Sequence, residues 1–205
     1  MDYLSFFFTA LTTLFVIVDP PGNIPMFIAL TEKLDKDLVD RISKKAVTIA
    51  SSILIIFVFG GYAVMEFFRI SIESLKVAGG LLLFIVSVDI LLGRKTREYY
   101  FQKGLESVDV DSIAVFPLAL PLYTGPGAIT ATIVLASEAD IVGKIILVLA
   151  ILVVYGIVRL THVYSAAIIS LLGKSGSDII ARVMAIFLAS IGVEYIFDGA
   201  LSILR

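Results

Sequence analysis

Two polar segments interrupt apolar stretches of this chain, and their residue types suit the binding of a small molecule. Residues 19–23 (DPPGN) break the first apolar stretch, and residues 124–127 (TGPG) break the fourth. Proline removes a backbone donor and clashes with the preceding helical turn, so each break frees N–H and C=O groups that hydrocarbon cannot satisfy. A single break is as easily a proline kink between packed helices. Paired breaks at matching places in the two halves of a chain are typical of a transporter's binding site.

The chemistry of the two breaks suits a small zwitterion. Half-helices that begin near Gly22 and Gly127 would present free N–H groups and positive dipole ends to a carboxylate. Asp19 and the unwound carbonyl groups would suit an ammonium group. The predicted substrate-binding residues are Asp19, Pro20, Gly22, Asn23, Thr124, Gly125, Pro126 and Gly127.

Three charged residues at membrane depth are candidates for coupling substrate movement to an ion. An Asp at the centre of a membrane costs about 2.5–3.5 kcal/mol, so Asp19 is expected to pair, to protonate or to face a cavity. It is also a good N-cap for the half-helix after it. The other two candidates are Arg159 and Glu194, which is deep in the last apolar stretch. The alternatives to a coupling role for Glu194 are a pair with Arg159 and a place in a packed interior. The single histidine, His162, is interpreted as interfacial.

Composition places the chain in the membrane. Of 205 residues, 59% are hydrophobic and only 17% are charged, and the mean hydropathy is +1.04. One soluble domain could not bury this much apolar surface, which predicts an integral membrane protein. The absence of cysteine excludes a disulfide framework and a thiol redox centre, and one histidine argues against a zinc site, so no cofactor is predicted. A net charge of −2 does not indicate a basic surface for binding nucleic acid.

Apolar runs of about 20 residues predict an all-α membrane protein with six transmembrane helices. The predicted spans are 4–32, 46–68, 75–93, 113–136, 142–165 and 180–204. The first apolar stretch has no basic segment before it, so it is expected to be retained as a span. Glycines at 60, 61, 79, 80 and 192 are interpreted as sites of close helix packing.

The six spans divide into two similar halves. The polar linker 94–112 separates residues 1–93 from residues 113–205, and a shift of 105 residues aligns the two breaks. Because each half has three spans, the second half must enter the membrane from the opposite side, which predicts two inverted three-helix repeats with helices 1 and 4 broken at the midplane.

The distribution of basic residues predicts the orientation. Most of the Lys and Arg residues follow the first, third and fifth spans. Because cytoplasmic loops carry the excess of Lys and Arg, both termini are expected outside and the 94–112 linker in the cytoplasm.

The chain resembles the MarC family of six-span bacterial and archaeal inner-membrane proteins, and within it the branch that contains an archaeal small neutral amino acid transporter. The resemblance covers nearly the whole chain. It rests on segments 19–25 (DPPGNIP), 77–80 (VAGG), 116–121 (FPLALP), 125–127 (GPG) and 173–176 (GKSG).

This resemblance implies transport of glycine, alanine, serine and similar amino acids across the cell membrane, driven by H⁺ or Na⁺, with the substrate site at the two breaks. Two alternatives belong to other classes of protein. An intramembrane aspartyl protease needs two aspartates, which Asp19 and Asp89 would supply, but neither Gly-x-Gly-Asp nor Tyr-Asp occurs in the chain. A channel or scaffold would not need mirrored breaks. The sequence leaves open whether the chain forms a homo-oligomer.

Overall fold

The computed structural model describes residues 2–31, 34–92 and 113–204, and within these ranges all regular structure is helical. The predicted linker 94–112 lies outside the described residues. In chain order the helices are α1 (Tyr3–Val18), α2 (Ile24–Thr31), α3 (Lys36–Phe68), α4 (Ile72–Leu91), α5 (Ala114–Tyr123, a π-helical segment), α6 (Pro126–Ser137), α7 (Ile141–Val163) and α8 (Ser165–Leu204).

Side-chain caps fix where several of these helices begin. The Asp2 carboxylate accepts hydrogen bonds from the first turn of α1, and Asp35 accepts one from Leu38 N–H, 2.9 Å away, at the start of α3. Asp140 accepts one from Gly143 N–H, 2.7 Å away, at the start of α7. Each cap satisfies a donor that has no partner within its own helix.

Among the described residues, four helical stretches are long and apolar enough to cross a membrane: α3, α4, α7 and the part of α8 from Ile179 to Leu204. The predicted first and fourth spans are instead divided into two pieces each. The first span consists of α1 and α2, and the fourth consists of α5 and α6. By length and composition alone, the described part of the chain therefore has four candidate spans, where the sequence predicts six.

The π-helical segment α5 is irregular for a local reason. Phe116 and Leu120 have extended backbone conformations, and each precedes a proline in the sequence. A proline clashes with the residue before it in the α-helical region and moves that residue to extended angles. Two such steps within ten residues prevent a regular helix, so irregular backbone begins well before the predicted break.

The connection predicted between residues 165 and 180 is largely helical. Helix α8 already begins at Ser165 and includes this connection. Gly173, with a φ of +67°, separates its two helical parts. A positive φ favours glycine, because glycine has no Cβ.

Glycines allow α4 and α8 to approach closely. A Cβ added to Gly80 would lie 2.5 Å from the carbonyl oxygen of Gly192, and one added to Gly79 would lie 2.1 Å from the Thr130 side chain. The prediction of close packing is confirmed at these glycines and at Gly61, which meets Ile133. It is wrong at Gly60, where no atom lies within 4 Å of an added Cβ.

Candidate functional site

The first break is closed by its own polar side chains. Asp19 has a left-handed backbone conformation (φ 49°, ψ 61°), and its N–H donates to the carbonyl oxygen of Phe15, which ends α1. Its Oδ1 accepts a hydrogen bond of 3.0 Å from Gly22 N–H. The Asn23 amide donates to the Val18 carbonyl oxygen at 2.7 Å. Asp19 therefore caps the turn between the helices, and the half-helix predicted near Gly22 begins instead at Ile24.

Polar atoms of the first break are buried. Asp19 is 5% exposed and Asn23 is 2% exposed, and Pro20 and Gly22 are also buried. Asn23 Oδ1 has no hydrogen-bond partner within the described part of the chain. A buried acceptor without a partner costs about 1–3 kcal/mol. A ligand that donates a hydrogen bond to this oxygen would recover part of that energy.

The second break is held by neighbouring helices. Thr124 is fully buried, and its hydroxyl donates to the Ala50 carbonyl oxygen of α3 at 3.2 Å. The Tyr155 hydroxyl of α7 lies 3.1 Å from the Thr124 hydroxyl oxygen and donates to the Tyr123 carbonyl oxygen at 2.8 Å. Gly125 then starts α6 with no side chain to cap it, and Pro126 occupies the first turn. The N-terminus of α6 is therefore left without a side-chain cap, as the anion-binding hypothesis requires.

The two breaks lie close together. A Cβ added to Gly127 would lie 2.1 Å from Leu83 Cδ2 of α4 and 3.8 Å from Ile17 Cγ2 of α1. The start of α6 therefore packs against the end of α1, two residues before Asp19. Gly127 itself contacts apolar side chains, so its small size is explained by helix packing.

A buried polar network, which the sequence interpretation missed, adjoins the second break. The ring of His162 bonds at both nitrogens: Nε2 lies 2.5 Å from the Tyr123 hydroxyl, and Nδ1 lies 2.7 Å from Ser43 Oγ. Arg159 donates to the same Ser43 oxygen at 3.0 Å and pairs with Asp40. His162 is only 4% exposed, so it is enclosed by protein.

One signal in the sequence could have identified this network. Tyr155, Arg159 and His162 follow the spacing i, i+4, i+7, which places them on one face of a helix. The partners Ser43 and Tyr123 lie far away in sequence, and no local pattern connects them to His162.

The coupling candidates lie apart from one another. Arg159 pairs with Asp40 of α3, and among the described residues no pair between Arg159 and Glu194 is seen. Glu194 is exposed on the surface of α8. Of the three candidates, the structure places Asp19 in the first break and Arg159 beside His162.

A cavity of about 440 Å³ lies at the end of the molecule opposite His162. Parts of α3, α4, α6 and α7 line it, including Val58, Glu66, Ile133 and Lys144. None of the predicted substrate-binding residues belongs to this lining. Ile133 is the lining residue of α6 nearest to the second break, and it lies six residues after Gly127, about 9 Å along the helix at 1.5 Å per residue.

Comparison with known proteins places the chain in one family. It matches the family described as MarC family integral membrane protein over residues 4–204. A UPF0056 membrane protein of Archaeoglobus fulgidus is 62% identical to it, covering 96% of this chain and 93% of the relative. UPF0056 membrane proteins of Methanocaldococcus jannaschii and Bacillus subtilis are 37% and 31% identical and cover 96% and 95% of this chain, which spans 96% and 94% of theirs.

The names of these relatives describe membrane proteins and give no enzymatic activity. No solved structure matches the chain. The match over nearly the whole length agrees with the apolar composition and the helical structure. The chain belongs to the MarC family of integral membrane proteins.

Proposed function

We propose that this protein is a secondary transporter of small neutral amino acids, driven by the proton gradient across the cell membrane, with the substrate bound between the two helix breaks. The observation that carries the proposal is the close approach of the breaks, together with the buried, unpartnered amide oxygen of Asn23. A polar group that is kept inside a membrane protein at this energetic cost indicates a functional site.

Each end of a zwitterionic substrate has a matching group at this site. The uncapped N-terminus of α6 at Gly125 offers backbone donors and a positive dipole end to the substrate carboxylate. Asn23 Oδ1 and the negative charge of Asp19 attract the ammonium group.

The packing around the two glycines favours small substrates. Gly22 lies against the Asp19 carboxylate and Gly127 lies against Leu83, so a large substrate side chain would have to displace one of them. Glycine, alanine and serine are the amino acids that meet this restriction.

The remaining predicted site residues have supporting roles in this proposal. Pro20 lies in the turn that follows α1, and Pro126 lies in the first turn of α6, so each proline marks a helix end beside the substrate. Thr124 fixes the second break to α3 and α7, because its hydroxyl bonds toward those helices.

We further propose that the helices form six spans in two inverted three-helix repeats, residues 1–93 and 113–205, with both termini outside. Contacts between helix ends support this topology. Tyr3 OH donates to Asp140 at 2.8 Å, and Lys76 pairs with Glu138 at 3.2 Å and with Asp198 at 2.5 Å. The proposed topology puts all five of these residues at the outer end.

We also propose that the chain belongs to the branch of the family that transports small neutral amino acids. The proposed coupling ion is H⁺, and the competing candidate is Na⁺. The basis for the branch is the resemblance of the break segments. The basis for H⁺ is the set of titratable side chains at the breaks and at His162.

The experiment is uptake of labelled glycine into proteoliposomes under an imposed pH gradient or an imposed Na⁺ gradient. We expect accumulation against the concentration gradient with the pH gradient, its loss with a protonophore, and competition by unlabelled alanine and serine but not by phenylalanine. The variant Gly60→Ala is a matched control, because an added methyl group meets no atom there. Uptake no higher than in protein-free liposomes under both gradients would reject the proposal.

A further inference from the structure

We propose that His162 binds the coupling proton and that the charge of the protonated ring changes the positions of both helix breaks. This inference rests on the proposed transport function, and it assigns to His162 the role for which the sequence suggests Asp19, Glu194 and Arg159.

The His162 ring contacts segments next to both breaks. It stacks on Phe27 of α2, with ring centroids 3.7 Å apart and an angle of 3° between the planes. Phe27 lies four residues after Asn23 of the first break. On its other side the ring bonds the hydroxyl of Tyr123, which directly precedes Thr124 of the second break. A change at this one ring therefore reaches both halves of the proposed substrate site.

Both ring nitrogens are arranged for gaining or losing a proton. Each lies within hydrogen-bond distance of a hydroxyl group, Tyr123 at Nε2 and Ser43 at Nδ1, and a hydroxyl can donate or accept. The neutral ring has one donor and one acceptor, so either tautomer fits. When the acceptor nitrogen binds a proton, both nitrogens become donors and both hydroxyl oxygens accept. A proton can then leave from either nitrogen, and no other reactant is required.

The charges around the ring link proton binding to movement. From α7, Arg159 bonds the same Ser43 oxygen as His162. From α3, Asp40 pairs with both Arg159 and Lys44. The α5 contact is the Tyr123 hydroxyl, and α2 has no ionisable side chain. A protonated His162 therefore adds a second positive charge beside Arg159, and their repulsion opposes the shared contact at Ser43.

Substrate and proton are linked through this contact. If the charged ring shifts away from Arg159, Phe27 and Tyr123 move with it, and so do the segments next to the breaks. Proton binding would then change the affinity of the breaks for substrate. By thermodynamic reciprocity, substrate binding changes the proton affinity of the ring by the same factor. The pair formed by Arg159 and Asp40, whose side chains are 24% and 41% exposed, gives the network a route to the surface.

The transport test compares wild type with His162→Gln in proteoliposomes. Glutamine keeps a hydrogen-bond donor and an acceptor but does not titrate. We expect gradient-driven accumulation to fall by about tenfold or more, to the level seen without a gradient. We also expect the pH dependence of exchange to flatten. Gradient-driven accumulation equal to wild type would overturn the inference.

Two further measurements keep the inference testable if this variant does not fold. Tyr123→Phe keeps the histidine and removes one of its hydroxyl partners, and it should shift the pH profile of uptake. Because His162 is the only histidine, labelling the full-length protein with ¹⁵N-histidine gives the magnetic resonance signals of one ring, provided the affinity tag has no histidine.

The resonance experiment also separates the two proposals. We expect the ring to gain a proton as the pH is lowered, with a midpoint that glycine shifts. A ring that keeps one protonation state, with and without glycine, would overturn the role of His162 even if wild type transports glycine. Failure of wild-type uptake would instead reject the proposed function, and the ring signal would still decide whether His162 titrates.

Discussion

The two helix breaks look equivalent in sequence but are held in different ways. The first is closed from within, because Asp19 and Asn23 bond the backbone of their own segment. The second is held from outside, because Thr124 bonds Ala50 of α3 and meets Tyr155 of α7. Similar proline and glycine patterns therefore support two roles: the first break supplies buried polar side chains, and the second supplies a helix N-terminus anchored to its neighbours.

The glycines give the sharpest contrast between the breaks, and their substitution should have the largest effect. An added Cβ at Gly127 meets Leu83, whereas one at Gly22 meets the Asp19 carboxylate at 2.0 Å. We expect Gly127→Ala to destabilise the protein by about 1–3 kcal/mol through overpacking, measured as a lower unfolding temperature in detergent. Adding Leu83→Ala should restore stability.

The matched comparison is Gly22→Ala. Here the obstacle is a capping carboxylate, so Leu83→Ala should give no rescue, and glycine affinity should fall as Asp19 is displaced. Gly60→Ala serves as the control in open space and should be neutral or slightly stabilising. Rescue of both Gly22→Ala and Gly127→Ala by Leu83→Ala, or of neither, would remove the contrast.

The Asp19 charge provides the next largest effect. Asp19→Asn keeps an oxygen for Gly22 N–H and tolerates the left-handed backbone, but it removes the negative charge. We expect glycine affinity to fall by about tenfold, which corresponds to about 1.4 kcal/mol. At saturating glycine the dependence on the pH gradient should remain, since His162 is unchanged. Unchanged affinity would show that Asp19 only caps the turn.

The anchor of the second break should have a smaller effect. Thr124→Val removes the hydroxyl that bonds Ala50, and Tyr155→Phe removes the hydrogen bond to the Tyr123 carbonyl oxygen. Each should lower stability by about 1 kcal/mol, and the double variant should lose less than the sum, because both act on one network. Additive losses, measured as unfolding temperatures, would show that the two hydroxyls act independently.

Local chemistry explains how much of this arrangement the sequence could predict. The position of the first break follows from two prolines and an Asp that adopts a left-handed conformation. The irregular backbone of α5 follows from Pro117 and Pro121, because each proline restricts the residue before it to extended angles. The network at His162 requires residues from α3, α5 and α7, and no periodicity within one helix specifies those partners.

The smallest predicted effect concerns the helix ends far from the breaks. The Gly143 N–H, with the Tyr3 hydroxyl, holds the pKa of Asp140 below its ordinary value. A lowered pKa contributes stability above the unfolded pKa, and that contribution is lost as the pH falls through the folded value. The unfolding temperature of wild type should therefore exceed that of Asp140→Asn at neutral pH, and the two should converge on acidification. A constant difference would contradict this assignment.

The most direct test of the central claim is substrate protection of a cysteine at the second break. The chain has no cysteine, so Gly125→Cys places a single thiol at the start of α6, where φ is −75°, a backbone angle that any residue can adopt. Ser137→Cys, at the exposed end of the same helix, is the control. In protein that still takes up glycine, we predict that glycine and alanine slow labelling at Gly125→Cys and leave Ser137→Cys unchanged. Equal labelling of Gly125→Cys with and without saturating glycine would contradict a substrate site between the two breaks.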